Sequence, residues 1–292
     1  MSYKISPFTP VFWKPTTDKF GAKSKYTQTW KATDRILVQV LQLTSSAPIA
    51  GDYDGNAPTL RVKNVETGST WTESWSSWSM NDWCTVKWWV MTGWSPGIYT
   101  MSLGTMESEP FCITAETELL DQTTLIQYSM IDNRRRMDTA FVVNGTRQFF
   151  DFRVPGGFKD DNWSFGVDNS QFTTSLYDTV DVHSHEMLMK TFTLGNSEGC
   201  PVWFADLLNR LLTCTYVYFD GVRFSRHESD VPEVNAEMED LRSYIFTQTV
   251  QRVINLQPAI ENANALRLRR VGEEDDDYRI ADVEGETMNR SV

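Results

Sequence analysis

Trp71, Trp75, Trp78, Trp83, Trp88, Trp89 and Trp94 place seven tryptophans within 24 residues of a 292-residue chain. Flat aromatic faces held in a row stack on sugar rings, and the two-residue spacing of Trp71, Glu73 and Trp75 would put all three on one face of a strand. That pattern nominates Trp71, Trp75, Trp78 and Trp83 for contact with a surface glycan. Aromatic rings more often fill cores and anchor subunit interfaces, so packing plus a protein interface is the favoured role for the same four residues.

Other groups have suitable residue types without the spacing that chemistry needs. Asp52-Tyr53-Asp54-Gly55-Asn56 opens like a calcium loop, but Lys63 stands at the twelfth position, where an EF-hand needs Glu. A simple turn is expected there. His183 and His185 would share a strand face beside Glu186, the start of a metal site. With His227 the only other histidine and no paired cysteine spacing, no metal is expected. Carboxylates such as Asp160-Asp161 and Glu107 with Glu109 fall in turn-like stretches, whereas glycosidase chemistry needs two facing across a cleft. No GxSxG, HExxH, P-loop or GxGxxG pattern occurs. The expectation is a protein without catalytic residues or cofactor, with a β-sandwich glycosidase as the third reading behind a structural and a glycan-binding one. Arg134-Arg135-Arg136 reads as a solvated basic turn with the capacity to dock an acidic partner.

The elements that would carry these residues are nearly all strands. Residues 35–43, RILVQVLQL, alternate on a two-residue period with apolar side chains in both phases, as a largely buried strand does. A turn-rich loop over 47–58 and strands over 59–65, 70–77, 84–91 and 97–106 follow. About seven strands at this spacing predict an immunoglobulin- or fibronectin-like β-sandwich over residues 1–118. The polar stretch 114–122 marks the boundary with a second β-rich domain, 119–256, whose strands are expected at 123–130, 140–143, 148–154 and 187–194, with 157–171 as loop. Pro201 starts a helix over 201–212, whose apolar face is Val202, Trp203, Ala205, Leu207, Leu208, Leu211 and Leu212. Asp220-Gly221 turns a hairpin over 216–226, and a last strand over 242–254 is a candidate for pairing between copies. Residues 257–292, with Glu273-Glu274-Asp275-Asp276-Asp277, form an extended acidic C-terminal tail. The fold class is therefore mainly β: tandem sandwiches, the second with one short helix, plus the tail.

Charge and composition narrow the partners. A formal net charge of −12 opposes nucleic-acid binding, which needs clustered cations. No apolar run approaches the ~20 residues that span a bilayer, and residues 1–12 lack the apolar core of a secretory signal. Cys84, Cys112, Cys200 and Cys214 have no CxxC spacing and read as free thiols in a reducing cytoplasm.

Four runs carry a family resemblance: Phe152-Arg153-Val154-Pro155-Gly156-Gly157-Phe158, then Leu194-Gly195-Asn196-Ser197-Glu198-Gly199-Cys200-Pro201-Val202-Trp203, then Leu208-Asn209-Arg210-Leu211-Leu212, then Val217-Tyr218-Phe219-Asp220-Gly221-Val222-Arg223-Phe224. Together with Ser108-Glu109-Pro110-Phe111-Cys112-Ile113, they resemble structural proteins from the virion gene blocks of tailed phages that infect Bacteroidetes, of the crAss-like or a related group. An FRVEGGF-like turn in that family precedes a G-x-x-x-G-x-P-x-W element and a strand-Asp-Gly-strand hairpin; this chain departs from it at Pro155. The likeness spans roughly residues 97–226, and its motifs are architectural. It implies a tail ring, hub or baseplate component of the virion, assembled in the bacterial host cytoplasm. Its partners would be copies of itself in a ring-like homo-oligomer and other virion tail or connector proteins. A carbohydrate-binding adhesion module of the tail is the alternative.

Overall fold

The computed structural model describes residues 1–15, 26–197, 199–227, 233–238 and 243–253; the acidic tail read over 257–292 lies outside them. The chain is mainly β. Its first strands are β1 (Ser2–Ile5), β2 (Trp13–Pro15), β3 (Gln28–Lys31), β4 (Ile36–Leu43), β5 (Tyr53–Asp54), β6 (Leu60–Asn64), β7 (Thr70–Glu73), β8 (Ser76–Asn81), β9 (Cys84–Met91), β10 (Gly97–Leu103), β11 (Met106–Ser108) and β12 (Phe111–Thr114). They form two sheets. One runs β5-β1-β4-β9-β8; the other runs β2-β11-β10-β12-β3, with β6 and β7 joined through β10. Ile36 and Val38 of the first sheet share a buried cluster with Leu60, Val62, Tyr99, Met101 and Phe111 of the second, so the two sheets close over one core.

Strand β4 explains why its sequence is apolar in both phases. Ile36, Val38 and Val40 face the sandwich core, while Leu37, Leu41 and Leu43 pack with residues from later in the chain. Between them Gln39, fully buried, donates through Nε2 to the Ala140 carbonyl and accepts the Ala140 N–H, each at 2.8 Å. A buried amide is tolerated when its donor and acceptor are both satisfied.

The second region comprises α1 (Thr117–Leu120), β13 (Thr123–Ser129), β14 (Val142–Val143), β15 (Thr146–Arg147), β16 (Phe150–Thr173), β17 (Thr179–Leu194), α2 (Val202–Leu211), β18 (Tyr216–Phe219), β19 (Val222–Arg226), β20 (Glu233–Met238) and β21 (Ser243–Arg252). Its main sheet has the order β17-β16-β13-β18-β19-β21-β20, and β17 also pairs with β21. That extra pairing, Met189↔Gln251 through Leu194↔Phe246, closes six strands into a ring. Ile126, Tyr128, Phe150, Phe152, Val154, Phe192, Leu194, Val217, Phe219, Phe224, Phe246 and Val250 form one buried cluster from it. Helix α2 adds Phe204, Leu207, Leu208 and Leu211, the i, i+3, i+4, i+7 stripe of an amphipathic helix. Here the expected second sandwich is replaced by a closed sheet.

Two further expectations change. Strand β21 does not offer an edge to another copy: β17 lies along Phe246–Gln251, and β20 pairs with Ser243–Thr247 on the other side. One compact unit takes in Met1–Ser164 and Leu188–Gln251. The described part of the other unit is Phe165–Met187 with the neighbouring residues Arg252 and Val253. Residues 157–171, expected as loop, belong to the 24-residue strand β16.

Candidate functional site

Glycine and turn chemistry explain the motifs behind the family resemblance. Gly156 has φ +109°, and a Cβ there would stand 2.1 Å from the Thr193 carbonyl oxygen. Its N–H donates to Gln122 O at 3.0 Å, and the Gly195 N–H donates to Pro155 O at 2.9 Å, so β16 and β17 cross in close backbone contact. Pro155 fits because its position needs only the carbonyl. Gly195 and Gly199 are likewise pressed against Tyr244: a Cβ would meet Tyr244 O at 3.0 Å and Tyr244 N at 2.9 Å, respectively. Asp220 (φ 47°) and Gly221 (φ 82°) form the hairpin turn with both central residues at positive φ. Asp220 Oδ1 also accepts the Leu125 N–H at 2.9 Å. Burial raises the Asp220 pKa, against the lowering by that hydrogen bond and by Arg153.

A buried polar seam lies on the other phase of β13 and β16. Arg153 forms a forked pair with Asp34, Nε to Oδ2 at 2.6 Å and Nη2 to Oδ1 at 3.0 Å, and reaches Thr123 Oγ1 at 3.0 Å. Burial disfavours its charge, but the hydrogen bonds and charge of Asp34 outweigh that and raise the Arg153 pKa. Asp151 accepts from Gln127 and from the Arg35 N–H. These groups are positioned and satisfied as structural pairs.

The tryptophans fall into two groups that pack in two different clusters. Trp71, Trp75, Trp89 and Trp94 pack against the sandwich core, while Trp78, Trp83 and Trp88 pack with Leu41, Val86, Ala140 and Val143. Thus Trp71, Trp75, Trp78 and Trp83 are not brought into one row. In the first group Glu73 accepts from both Trp71 Nε1 (2.9 Å) and Trp89 Nε1 (3.1 Å). Trp71 and Trp94 are tilted by 41°, and Trp89 and Trp94 by 72°, the edge-to-face habit of packed rings rather than coplanar stacking faces.

The Asp52–Asn56 stretch forms β5 against β1, with Lys4 Nζ donating to Asp52 at 2.7 Å and Tyr53 stacked on Tyr3. His183 and His185 lie on β17 in the same phase. Among the described residues no group of three His, Cys, Asp or Glu side chains could hold a metal ion. No described helix is long and apolar enough to cross a membrane. All four cysteines are free thiols, and burial pushes Cys84 up to about 11 and Cys214 up to about 12.

Sequence reasoning missed the hairpin Phe165–Met187. Among the described residues, β13 accompanies β16 only from Phe150 to Pro155, and β21 accompanies β17 only from Met189 to Leu194. Beyond those points the ladder is two strands wide. It exposes Phe165 (78%), Val167, Phe172, Leu176 (82%), Tyr177 (90%), Val180 and Val182. The connection is a three-residue loop: Tyr177 N–H donates to Thr174 O at 2.9 Å, Thr174 N–H to Asp178 O at 2.8 Å, and Asp178 N–H to Thr174 Oγ1 at 3.1 Å. Its last residue, Tyr177, has φ 66°, a position that usually takes Gly or Asn. A bulky ring at positive φ is strained, and such strain gathers at functional sites. Acidic residues Asp168, Asp178, Asp181 and Glu186 accompany the apolar ones, with no Lys or Arg from 165 to 187. The readable signal was the alternation Phe165, Val167 and Val180, Val182.

The Arg134-Arg135-Arg136 turn is divided in role. Arg136 is forked onto Asp138 at 2.9 and 2.6 Å and lies over the Phe8 ring. Arg134 and Arg135 are exposed, with exposed Ile131 and Met137 on either side. Comparison with protein-family models, curated proteins and solved structures finds no match for this chain.

Proposed function

We propose that the protein is a structural subunit of a bacteriophage virion, a tail ring, hub or baseplate component that acts by assembling with copies of itself and with neighbouring tail proteins. The observation carrying this reading is the hairpin Phe165–Met187, which exposes large apolar side chains along a two-stranded ladder. A two-stranded hairpin is marginal in water without a third strand or a packed face. Exposed apolar residues held together in this way mark an interaction surface. The phage assignment comes from the glycine, proline and Asp-Gly motifs, which here serve close backbone contacts and turns. The sandwich of β1–β12 is read as immunoglobulin- or fibronectin-like from its short strands at regular turn spacing.

The mechanism is geometric. A rigid unit of sandwich and closed sheet sets the shape, and the hairpin makes the contact. Contact between different surfaces of identical subunits builds rings where the rotation closes. The test is the mass of the purified full chain over a concentration series, together with its location in particles. Concentration-dependent oligomers and a position in the tail are expected. A stable monomer absent from particles would overturn the reading.

A further inference from the structure

We propose that the hairpin Phe165–Met187 of one copy docks on the residue 131–138 turn of a second copy, with Asp178 and Asp181 opposite Arg134 and Arg135. This deepens the reading of the protein as an assembling subunit and rests on it. Three observations carry the pairing. The hairpin is wholly acidic in its charged residues, whereas the turn presents two exposed guanidinium groups, Arg135 and an Arg134 that stands 3.9 Å from the partly exposed Asp132. Both surfaces join charge to exposed apolar side chains: Leu176, Tyr177, Val180 and Val182 on one, Ile131 and Met137 on the other. Both also have a built geometry. Asn133 accepts the Phe141 and Val142 N–H groups at 2.8 Å and donates to Val142 O at 2.7 Å, and Arg136 is tied to Asp138. The turn is thereby held in one shape, with Arg134 and Arg135 outward.

The surfaces differ, so the contact is heterologous, and each copy has one donor hairpin and one acceptor turn. Such contacts propagate from copy to copy and close into a ring or continue as a filament. Opposite charges at the rim fix orientation and speed association, and salt screens them. Tyr177, 90% exposed at the hairpin tip, offers an aromatic anchor, the kind of residue that dominates interface energetics.

The experiment follows the mass of the full chain by size exclusion with light scattering, at several protein and salt concentrations. Four forms are compared: wild type, Arg134→Glu with Arg135→Glu, Asp178→Lys with Asp181→Lys, and all four changes together. Thermal unfolding of each checks that it is folded. Each charge-reversed pair should weaken assembly at least tenfold, and the combined form should recover most of the loss. Wild-type assembly should weaken with salt. Recovery on combination is an outcome that general destabilisation does not produce. Assembly unaffected by either reversal would overturn this docking while leaving a structural subunit. Loss with the hairpin variant alone would move the hairpin to another surface and overturn it as well. A wild type that stays monomeric throughout and is absent from particles would remove the underlying reading.

Discussion

Strand β16 holds Phe152 with no exposed surface and Phe165 with 78% of its surface exposed, thirteen residues apart on one strand. The first stands in a six-strand ring, between β13 and β17, with Phe204 of α2 edge-on at 5.2 Å. The second stands where the described ladder is only two strands wide. Thirteen residues is an odd spacing, so the two rings fall on opposite phases of the strand. The number of neighbouring elements differs as well, and the apolar phase that builds a core at one end gives way to an exposed surface at the other. Apolar residues in the ring are accounted for within the chain. Those in the hairpin are largely exposed.

The sharpest way to break the buried end is at Gly156. A Cβ there would meet Thr193 O at 2.1 Å, and backbone cannot move aside as a side chain can. Gly156→Ala should cost about 4 kcal/mol or more, with refusal to fold at 37 °C as the extreme. Urea unfolding measures it. The same change at Gly145, also at positive φ but with nothing within 4 Å, should cost only about 1 kcal/mol. Equal costs at both sites would mean that β16 and β17 do not cross as closely as described.

The buried ion pair comes next. Arg153→Ala leaves Asp34 buried without its cation and should destabilise by about 3–5 kcal/mol. Arg153→Met combined with Asp34→Leu removes both charges and should recover a large part of that loss, as measured by the unfolding midpoint. A double variant as unstable as the single one would indicate that the pair also holds β3, β4 and β16 in register through hydrogen bonds to neutral groups. In the hairpin, Asp181→Ala has no such buried cation to strand and should leave the midpoint unchanged.

Thiol chemistry extends the contrast to pH. Cys84, raised by burial from 9.0 to about 11, carries roughly a hundredfold less thiolate at pH 8 than an ordinary cysteine. Cys214, at about 12, carries still less. In native protein both should resist a thiol reagent that labels them in denaturant. A Ser175→Cys thiol in the exposed hairpin loop should label within minutes. Because both folded pKa values lie above the unfolded value, this stabilisation is complete below pH 9 and is lost as pH rises from about 9 towards 12. Alkaline titration of the unfolding midpoint, repeated in Cys84→Ala with Cys214→Ala, should show the steeper decline in the wild type.

Features legible in the sequence were those decided by near neighbours. The Asp220-Gly221 hairpin, the α2 stripe and the two-phase burial of β4 need only turn chemistry and periodicity. Invisible were the pairs that are far apart in sequence. Gln39 with Ala140, Asp34 with Arg153 and β17 with β21 join segments separated by roughly fifty residues or more, and no local pattern names the partner. The last of them closes the sheet where a second sandwich was expected. Residues 157–171 misled because Asp160-Asp161-Asn162 and Asp168-Asn169-Ser170 have turn-forming composition; Asp168, Asn169 and Ser170 are exposed, where a strand tolerates polar residues. For the tryptophans, spacing along the chain does not reveal that they divide between two packing clusters.

The smallest expected effect on stability belongs to Phe165. Phe152→Ala empties a packed site and should cost about 3–5 kcal/mol, whereas Phe165→Ala removes a ring that is mostly solvated already and should change the unfolding midpoint by no more than about 0.5 kcal/mol. Assembly should reverse the ranking: under conditions where the wild type forms oligomers, Phe165→Ala should shift the concentration for half-assembly upward severalfold. A Phe165→Ala variant as destabilised as Phe152→Ala would show that this end of β16 is buried within a single copy. The exposed hairpin would then cease to be evidence for a partner.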